Sequence, residues 1–274
     1  MDLVASPKPF VKWAGSKRLL LGHLIPHLPS DYDTYLEPFL GGGSVFLHLA
    51  PKKAILSDAC EPLIATWIAV QRNPEGVFKA ATAHSMNEVT YYRVRDAEPA
   101  GYLQRAGRFI YLNKGAFNGL YRENLRGKFN VPWGRPKSSF VADKANLKSV
   151  AKLLQQPGVS ISCADFEVTI DRAAAGDFVF ADPPYVTGHN NNGFIEYNSK
   201  IFTWDDQKRL AAALKRAATR GATVVVTNAD HAAIRELYGY LTPHQFERSS
   251  TLAGASSSRR RVTELVLTGG VQRG

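Results

Sequence analysis

Apolar positions along the chain fall into short continuous runs separated by amphipathic stretches. Residues 34–39, 54–58, 159–163, 177–181 and 223–227 have the length and the β-branched or aromatic content of buried parallel strands. Residues 244–249 and 262–268 add two more runs, the second alternating as an antiparallel strand does. Between these runs the period lengthens to that of a helix over 62–71, 102–113 and 205–219. Thr203 and Asp206 are spaced as a capping box before the last of these, and Asp143 reads as the N-cap of another helix reaching 156. The alternation predicts an α/β protein with a doubly wound, mostly parallel sheet of about seven strands.

One spacing breaks the alternation. About 100 residues separate the second and third strands, where a crossover needs only a dozen or so. The excess predicts a helical insertion over 59–145, with 1–58 and 146–274 forming the main domain. Charge concentrates in the insertion: ten Lys and Arg lie between Arg105 and Lys148, opposed by Glu123 and Asp143 alone. This stretch therefore carries +8 of the chain's formal +10. A solvated basic face is the simplest reading of such a run. Here, however, Asn113, Phe117, Asn118, Tyr121, Asn124, Phe129, Asn130 and Trp133 are interleaved with the charge. Amides suit base edges and rings suit base stacking, so the insertion is read as a nucleic-acid surface. The Arg259–Arg261 triplet reads either as a solvated turn or as a phosphate contact.

The remaining bulk properties narrow the class. At 274 residues the chain has ample core volume. No apolar run approaches the ~20 residues of a membrane span, and "MDLVASPKPF" lacks the apolar stretch of a signal peptide. Cys60 and Cys163 are too few for a disulfide framework or a thiolate zinc site, which points to a reduced, cytoplasmic setting. The seven histidines show no triad or metal-ligand spacing, so no metal is expected.

Candidate chemistry begins at "YLEPFLGGGSVFLHLA" (35–50), a strand, a glycine turn and a helix. Gly41, Gly42 and Gly43 permit close approach of a ligand to the backbone, although a glycine triplet alone does not separate a cofactor site from a tight turn. The next strand ends in Asp58, placed to bond ribose hydroxyls. G-x-x-x-x-G-K-[ST] is absent, and G-x-G-x-x-G fails because its third glycine falls on Phe46. A ligand with a ribose but no pyrophosphate fits better, and S-adenosylmethionine is the common one. "FVKWAGSKR" (10–18) offers Lys12, Trp13 and Lys17 around a pliant turn, and is equally read as a helix start with surface lysines. "GDFVFADPPYVTG" (176–188) brings an acid and two prolines to the end of a buried strand, a stiff exit lacking two backbone donors.

Taken in order, "FVKWAGSKR", "LEPFLGGGSVF", "LSDACEPLI", "YLNKGAFNGLYRENLRGKFNVPWGR" and "FADPPY" closely resemble the Dam-type DNA adenine methyltransferases of the alpha group. The resemblance runs from Phe10 to Thr268. It implies a Rossmann-like, S-adenosylmethionine-dependent methyltransferase sheet and makes the insertion a target-recognition domain. It implies a cofactor pocket lined by Trp13, Lys17, Glu37, Phe39, Gly41, Gly42, Gly43, Ser44, Asp58, Asp165, Phe166 and Asp182. Asp165 is expected near the adenine amino group of the cofactor. Catalysis falls to Asp182, Pro183, Pro184 and Tyr185.

For DNA, the resemblance puts Lys12, Asn118, Leu120, Arg122 and Pro132 at positions that read or order a GATC site. Phe117 takes the place of a ring that fills the space of the displaced base, and Asn124 and Asn130 match asparagines that contact the DNA backbone. Lys114 stands where the family has a phosphate-contacting arginine, keeping the charge and losing the fork. Pro136 replaces a usual tyrosine, which puts the flanking contacts in doubt.

The chemistry these groups imply is direct. Adenine's exocyclic nitrogen is a poor nucleophile because its lone pair is delocalised into the ring. The Asp182 carboxylate and the Pro183 carbonyl, accepting its two hydrogens, would localise that pair, and Tyr185 could stack on a base that has left the duplex. The expected activity is methyl transfer to adenine N6 in double-stranded DNA within GATC, yielding S-adenosylhomocysteine, by a monomer needing no protein partner and no membrane. N4-cytosine or RNA guanine-N2 transfer, an idle DNA-binding module and a nicotinamide-dependent oxidoreductase are the competing classes. Intact Asp58 and Asp182 disfavour the idle module, and the insertion and DPPY disfavour the oxidoreductase.

Overall fold

The computed structural model of the protein describes residues 7–124, 126–185, 202–249 and 261–270. Residues 186–188 of the strand exit and Arg259 and Arg260 of the arginine triplet lie outside them. Among the described residues seven strands form one sheet: β1 (Tyr35–Glu37), β2 (Lys53–Asp58), β3 (Gly158–Cys163), β4 (Phe178–Ala181), β5 (Thr223–Ala229), β6 (Thr242–Ser249) and β7 (Arg261–Gly269). Their order is β3-β2-β1-β4-β5-β7-β6. β1 runs parallel to β2 and β4, and β4 parallel to β5, while β7 is antiparallel to both β5 and β6. The expected mostly parallel α/β sheet is thus present, with its winding reversed between β1 and β4, where open α/β sheets bind their ligands. β1 stops at Glu37 rather than Phe39 because Pro38 has no N–H to continue the ladder.

The chain divides into two compact units. The first comprises Met1–Leu19, Leu40–Lys53 and Ser57–Cys163. It holds the helices Ser44–Leu49, Glu61–Arg72, Pro74–Ala81, Glu88–Asp96, Tyr102–Gly115 and Lys144–Leu154. The Asp143 carboxylate caps the last of these by accepting the Asn146 N–H at 3.0 Å, as its sequence position predicts. Trp67, Phe46, Leu63, Val70 and Ile110 are among its buried side chains.

The second unit comprises Leu20–Phe39, Ala54–Leu56 and Ala164–Gly274. Its core packs Leu36, Val179, Ala181, Val224 and Val226 of the strands with Leu210, Leu214 and Ala217 of the helix Trp204–Thr219. That helix starts at the predicted capping box: Asp206 N–H donates to Thr203 Oγ1 at 3.1 Å, and Thr203 N–H to Asp206 Oδ2 at 2.9 Å. Alternation along each strand sends Phe180 and Val225 to the opposite face of the sheet. No described helix is long and apolar enough to cross a membrane.

Candidate functional site

In the first unit the glycine turn is held from three sides. Gly41 and Gly43 have φ of +47° and +65°, a region a side chain enters only with strain. A Cβ on Gly41 would lie 2.6 Å from Trp13 Cδ1, and one on Gly43 2.8 Å from Trp67 Cη2. Trp67 Nε1 donates to the Gly41 carbonyl at 3.1 Å. The Gly41 N–H donates to Asp58 Oδ2 at 2.9 Å, and Cys60 N–H donates to Asp58 Oδ1 at 2.9 Å. Burial pushes the Asp58 carboxyl up, against the pull of the backbone N–H groups of Cys60, Gly41 and Ala59.

Other predicted residues join this turn. Ser44 and Ser16 hydroxyls lie 3.0 Å apart, which ties the 10–18 stretch to the start of the Ser44–Leu49 helix. Lys17 is buried, with Nζ donating to the Gly15 carbonyl at 2.9 Å. Trp13 stacks on Tyr121 and Phe109, with ring centroids 5.8 and 6.4 Å apart. Trp13, Ser44, Gly41–Gly43 and Asp58 are therefore one packed constellation.

The basic stretch of the same unit folds back on itself as a short antiparallel loop. Ala116 bridges Trp133 and Glu123 bridges Phe129. Phe117 N–H donates to the Pro132 carbonyl at 3.0 Å, and Asn130 N–H to the Arg122 carbonyl at 3.0 Å. At the tip, Asn124 Oδ1 accepts the N–H groups of Arg126 and Lys128, an Asx-type turn closed by Gly127 at φ +70°. Across the loop, Arg122 Nε donates to Asn130 Oδ1 at 2.7 Å. Phe117 is 52% exposed, Asn118 is exposed with φ +52°, Leu120 is half-buried and Pro132 is exposed.

The loop is anchored through Asn113. Its Oδ1 accepts the Lys12 N–H and its Nδ2 donates to the Lys12 carbonyl, each at 2.7 Å, with a further bond to the Gly119 carbonyl at 3.2 Å. Lys114, the next residue, is half-buried and has its pKa lowered, first by burial and then by the charges of Lys12 and Arg18. Three cations crowding one another, one of them partly desolvated, favour an anion there.

In the second unit the strand ends carry the acids. On β1, Glu37 is buried and accepts the Tyr35 hydroxyl at 2.9 Å. After β4, Thr227 Oγ1 donates to Asp182 Oδ1 at 2.6 Å. Tyr185 donates its hydroxyl to Glu264 Oε2 on β7 at 3.0 Å. Burial, then the charges of Asp182 and Glu264, push the Tyr185 phenol well up, so it stays protonated. Gln207, fully buried in the Trp204–Thr219 helix, reaches the Pro184 carbonyl at 3.5 Å. Among the described residues none donates to the carbonyl of Pro183.

Asp165 and Phe166 begin the short helix Phe166–Ile170. Asp165 Oδ1 accepts the Glu167 N–H at 2.9 Å and Arg209 Nη2 at 3.0 Å, so this carboxylate caps a helix and pairs with a cation. Phe166 stacks on Phe39 with ring centroids 5.4 Å apart, and the Arg209 guanidinium lies 4.9 Å from the Phe166 ring centre.

Trp67, Arg209, Thr227 and Glu264 support these residues and were not singled out by the sequence; Asn113 was read there as an amide suited to base edges, but it is buried and spends its amide on the backbone of Lys12 and Gly119. Thr227 had a signal of the same kind as Asp182, a polar residue closing an apolar run. The others are separated from what they hold by 26 to 79 positions, with no local pattern to mark them.

A family model described as D12 class N6 adenine-specific DNA methyltransferase matches residues 13–249. The type II methyltransferase M1.LlaDCHI of Lactococcus lactis subsp. cremoris is 36% identical over 269 residues, 95% of this chain and 95% of its own length. The type II methyltransferase M.MjaIII of Methanocaldococcus jannaschii is 36% identical over 81% of this chain and 84% of its own length. The DNA adenine methylase of Escherichia coli K12 is 32% identical over 94% of both chains.

Proposed function

Because the chain belongs to the D12 class of N6 adenine-specific DNA methyltransferases, we propose that it transfers a methyl group from S-adenosylmethionine to the N6 amine of an adenine flipped out of double-stranded DNA, within GATC. The observation that carries the reading is the exit of β4. There a carboxylate oriented by Thr227 is followed at once by a carbonyl with no donor of its own among the described residues. The two accept the amine's hydrogens and localise its lone pair for attack.

The first unit fits a ribose-bearing ligand. The missing Cβ atoms of Gly41 and Gly43 let Trp13 and Trp67 pack against the turn, and Asp58 is a partly buried acceptor whose carboxylate has lone pairs beyond those used by backbone N–H groups. Trp13, Lys17, Glu37, Phe39, Ser44, Asp58, Asp165, Phe166 and Asp182 would hold S-adenosylmethionine. When bound, it supplies a methyl group on a sulfonium that is a good leaving group. Transfer to the amine would release S-adenosylhomocysteine, with the surplus proton of the amine passing to solvent. What the chain itself does is align the amine and surround its developing positive charge with Asp182 and the Pro183 carbonyl.

Target choice is assigned to residues 59–145 together with Lys12. Arg122 carries a fork suited to guanine O6 and N7, Lys12 joins it in reading or ordering the site, and Lys114 suits a phosphate. The identity of GATC rests on the resemblance of the 117–132 stretch, while similarity to a protein named DNA adenine methylase supports adenine as the base. One incubation tests the whole: labelled S-adenosylmethionine with duplexes carrying GATC or scrambled GATC, and with RNA. Label confined to GATC is expected. No label in any DNA overturns the activity, whereas equal label in scrambled duplex overturns only the site.

A further inference from the structure

The register of the sheet puts a buried hydroxyl opposite the catalytic acid. β4 and β5 pair in parallel with Ala181 opposite Val226, so Asp182 and Thr227 are the next pair along. Residues paired across a ladder point to the same face. Thr227 is fully buried, and an extended strand offers its hydroxyl no carbonyl of a preceding helical turn to bond. It donates instead to Asp182 Oδ1 at 2.6 Å.

The same face continues through β7. β5 pairs antiparallel with β7, Thr227 opposite Val266 and Ala229 opposite Glu264, so Glu264 shares the face of Thr227. Glu264 is 1% exposed and accepts the Tyr185 hydroxyl at 3.0 Å. Two neighbouring strands thus hold the Asp182–Tyr185 tetrapeptide at its ends, Thr227 of β5 at Asp182 and Glu264 of β7 at Tyr185.

We infer that Thr227 is a positioning residue for methyl transfer: its hydroxyl fixes the rotamer of Asp182 through Oδ1, setting how the carboxylate meets the amine of the substrate. The inference rests on the proposed function, since it assigns a role relative to that reaction. A rotation of Asp182 about its side chain misplaces the acceptor for the amine, so the larger loss falls on turnover, and the one contact Asp182 offers the cofactor accounts for a smaller loss of affinity.

The test compares Thr227→Val, which removes the hydroxyl at nearly constant shape, with Thr227→Ser, which keeps it. Wild-type, T227V and T227S enzymes are assayed for single-turnover methylation of a GATC duplex, for S-adenosylmethionine binding by calorimetry and for thermal unfolding. T227V is expected to lose about 10- to 100-fold in single-turnover rate, the scale of a buried hydrogen bond to a charged group. Cofactor affinity should fall by much less than the rate does, and T227S should recover most of the rate. T227V with the wild-type rate overturns the inference. So does T227S as slow as T227V, or a T227V loss that falls equally on cofactor binding. A wild-type protein that transfers no methyl group overturns the proposed function instead, before any variant is compared.

Discussion

The backbone N–H of Gly41 donates to Asp58 Oδ2 at 2.9 Å, so the acid at the end of β2 holds the glycine turn that follows β1. Asp58 therefore acts before any ligand arrives: it accepts backbone N–H groups on both oxygens and keeps the turn in shape. Asp58→Asn makes this separable from charge. Its amide turns one acceptor into a donor facing a backbone N–H, a clash of donors costing roughly 1–3 kcal/mol. Cofactor affinity measured by calorimetry should fall about tenfold or more, with a lower unfolding midpoint. A variant that loses affinity at an unchanged midpoint would mean that Asp58 acts on the ligand alone.

Gly43→Ala tests the turn from its other face. The substitution forces an alanine to φ +65° and drives a Cβ to 2.8 Å from Trp67 Cη2. Left-handed strain and overpacking together should cost roughly 2–4 kcal/mol. Gly127→Ala is the control, because its φ is +70° but no atom lies within 4 Å of the added carbon. It should lose only the backbone share, ~1–2 kcal/mol. Equal losses in denaturant unfolding of the two variants would remove the Trp67 contact from the account.

These two cases show what was legible in the sequence. The glycine turn, Asp58 and the capping box at Thr203 are local: backbone sterics and short side-chain reach dictate them within a few residues. The strand runs were legible because burial on both faces leaves continuous apolar stretches. Pro38 ends β1 two residues before the apolar run does, a limit the run itself conceals. The partners were not legible. Asn113 meets Lys12 across 101 positions, and Thr227 meets Asp182 across 45, through a parallel register that only the folded sheet defines.

The pair Arg122–Asn130 separates two jobs that one asparagine could do. Asn130 Oδ1 holds Arg122 Nε at 2.7 Å, which leaves the terminal guanidinium nitrogens of this exposed side chain pointing onward. If Asn130 serves through Arg122, Asn130→Ala relaxes discrimination against a changed guanine by roughly 1–3 kcal/mol, as Arg122→Ala does, and the double variant adds little. Loss of a phosphate contact instead weakens all duplexes alike and flattens the salt dependence. Binding titrations on GATC and single-mismatch duplexes at several salt concentrations decide between them. The expected outcome is relaxed choice at an unchanged salt slope.

His27 and His244 stack with ring centroids 4.2 Å apart in the second unit, and burial, then the His244 charge, lowers the pKa of His27. A histidine whose folded pKa lies below its unfolded value, ~6.5, takes up its proton more readily in the unfolded chain. Stability is then full above the unfolded pKa and declines as pH falls from there through the folded one. His27→Gln removes that uptake. Unfolding midpoints measured from pH 8 to pH 5 should fall less steeply for the variant than for the wild type, with the difference opening below about pH 6.5. Parallel curves would show that the pair does not titrate differently on folding. A steeper fall in the variant would mean that His27 is stabilised as a cation, the reverse of what its burial beside His244 requires.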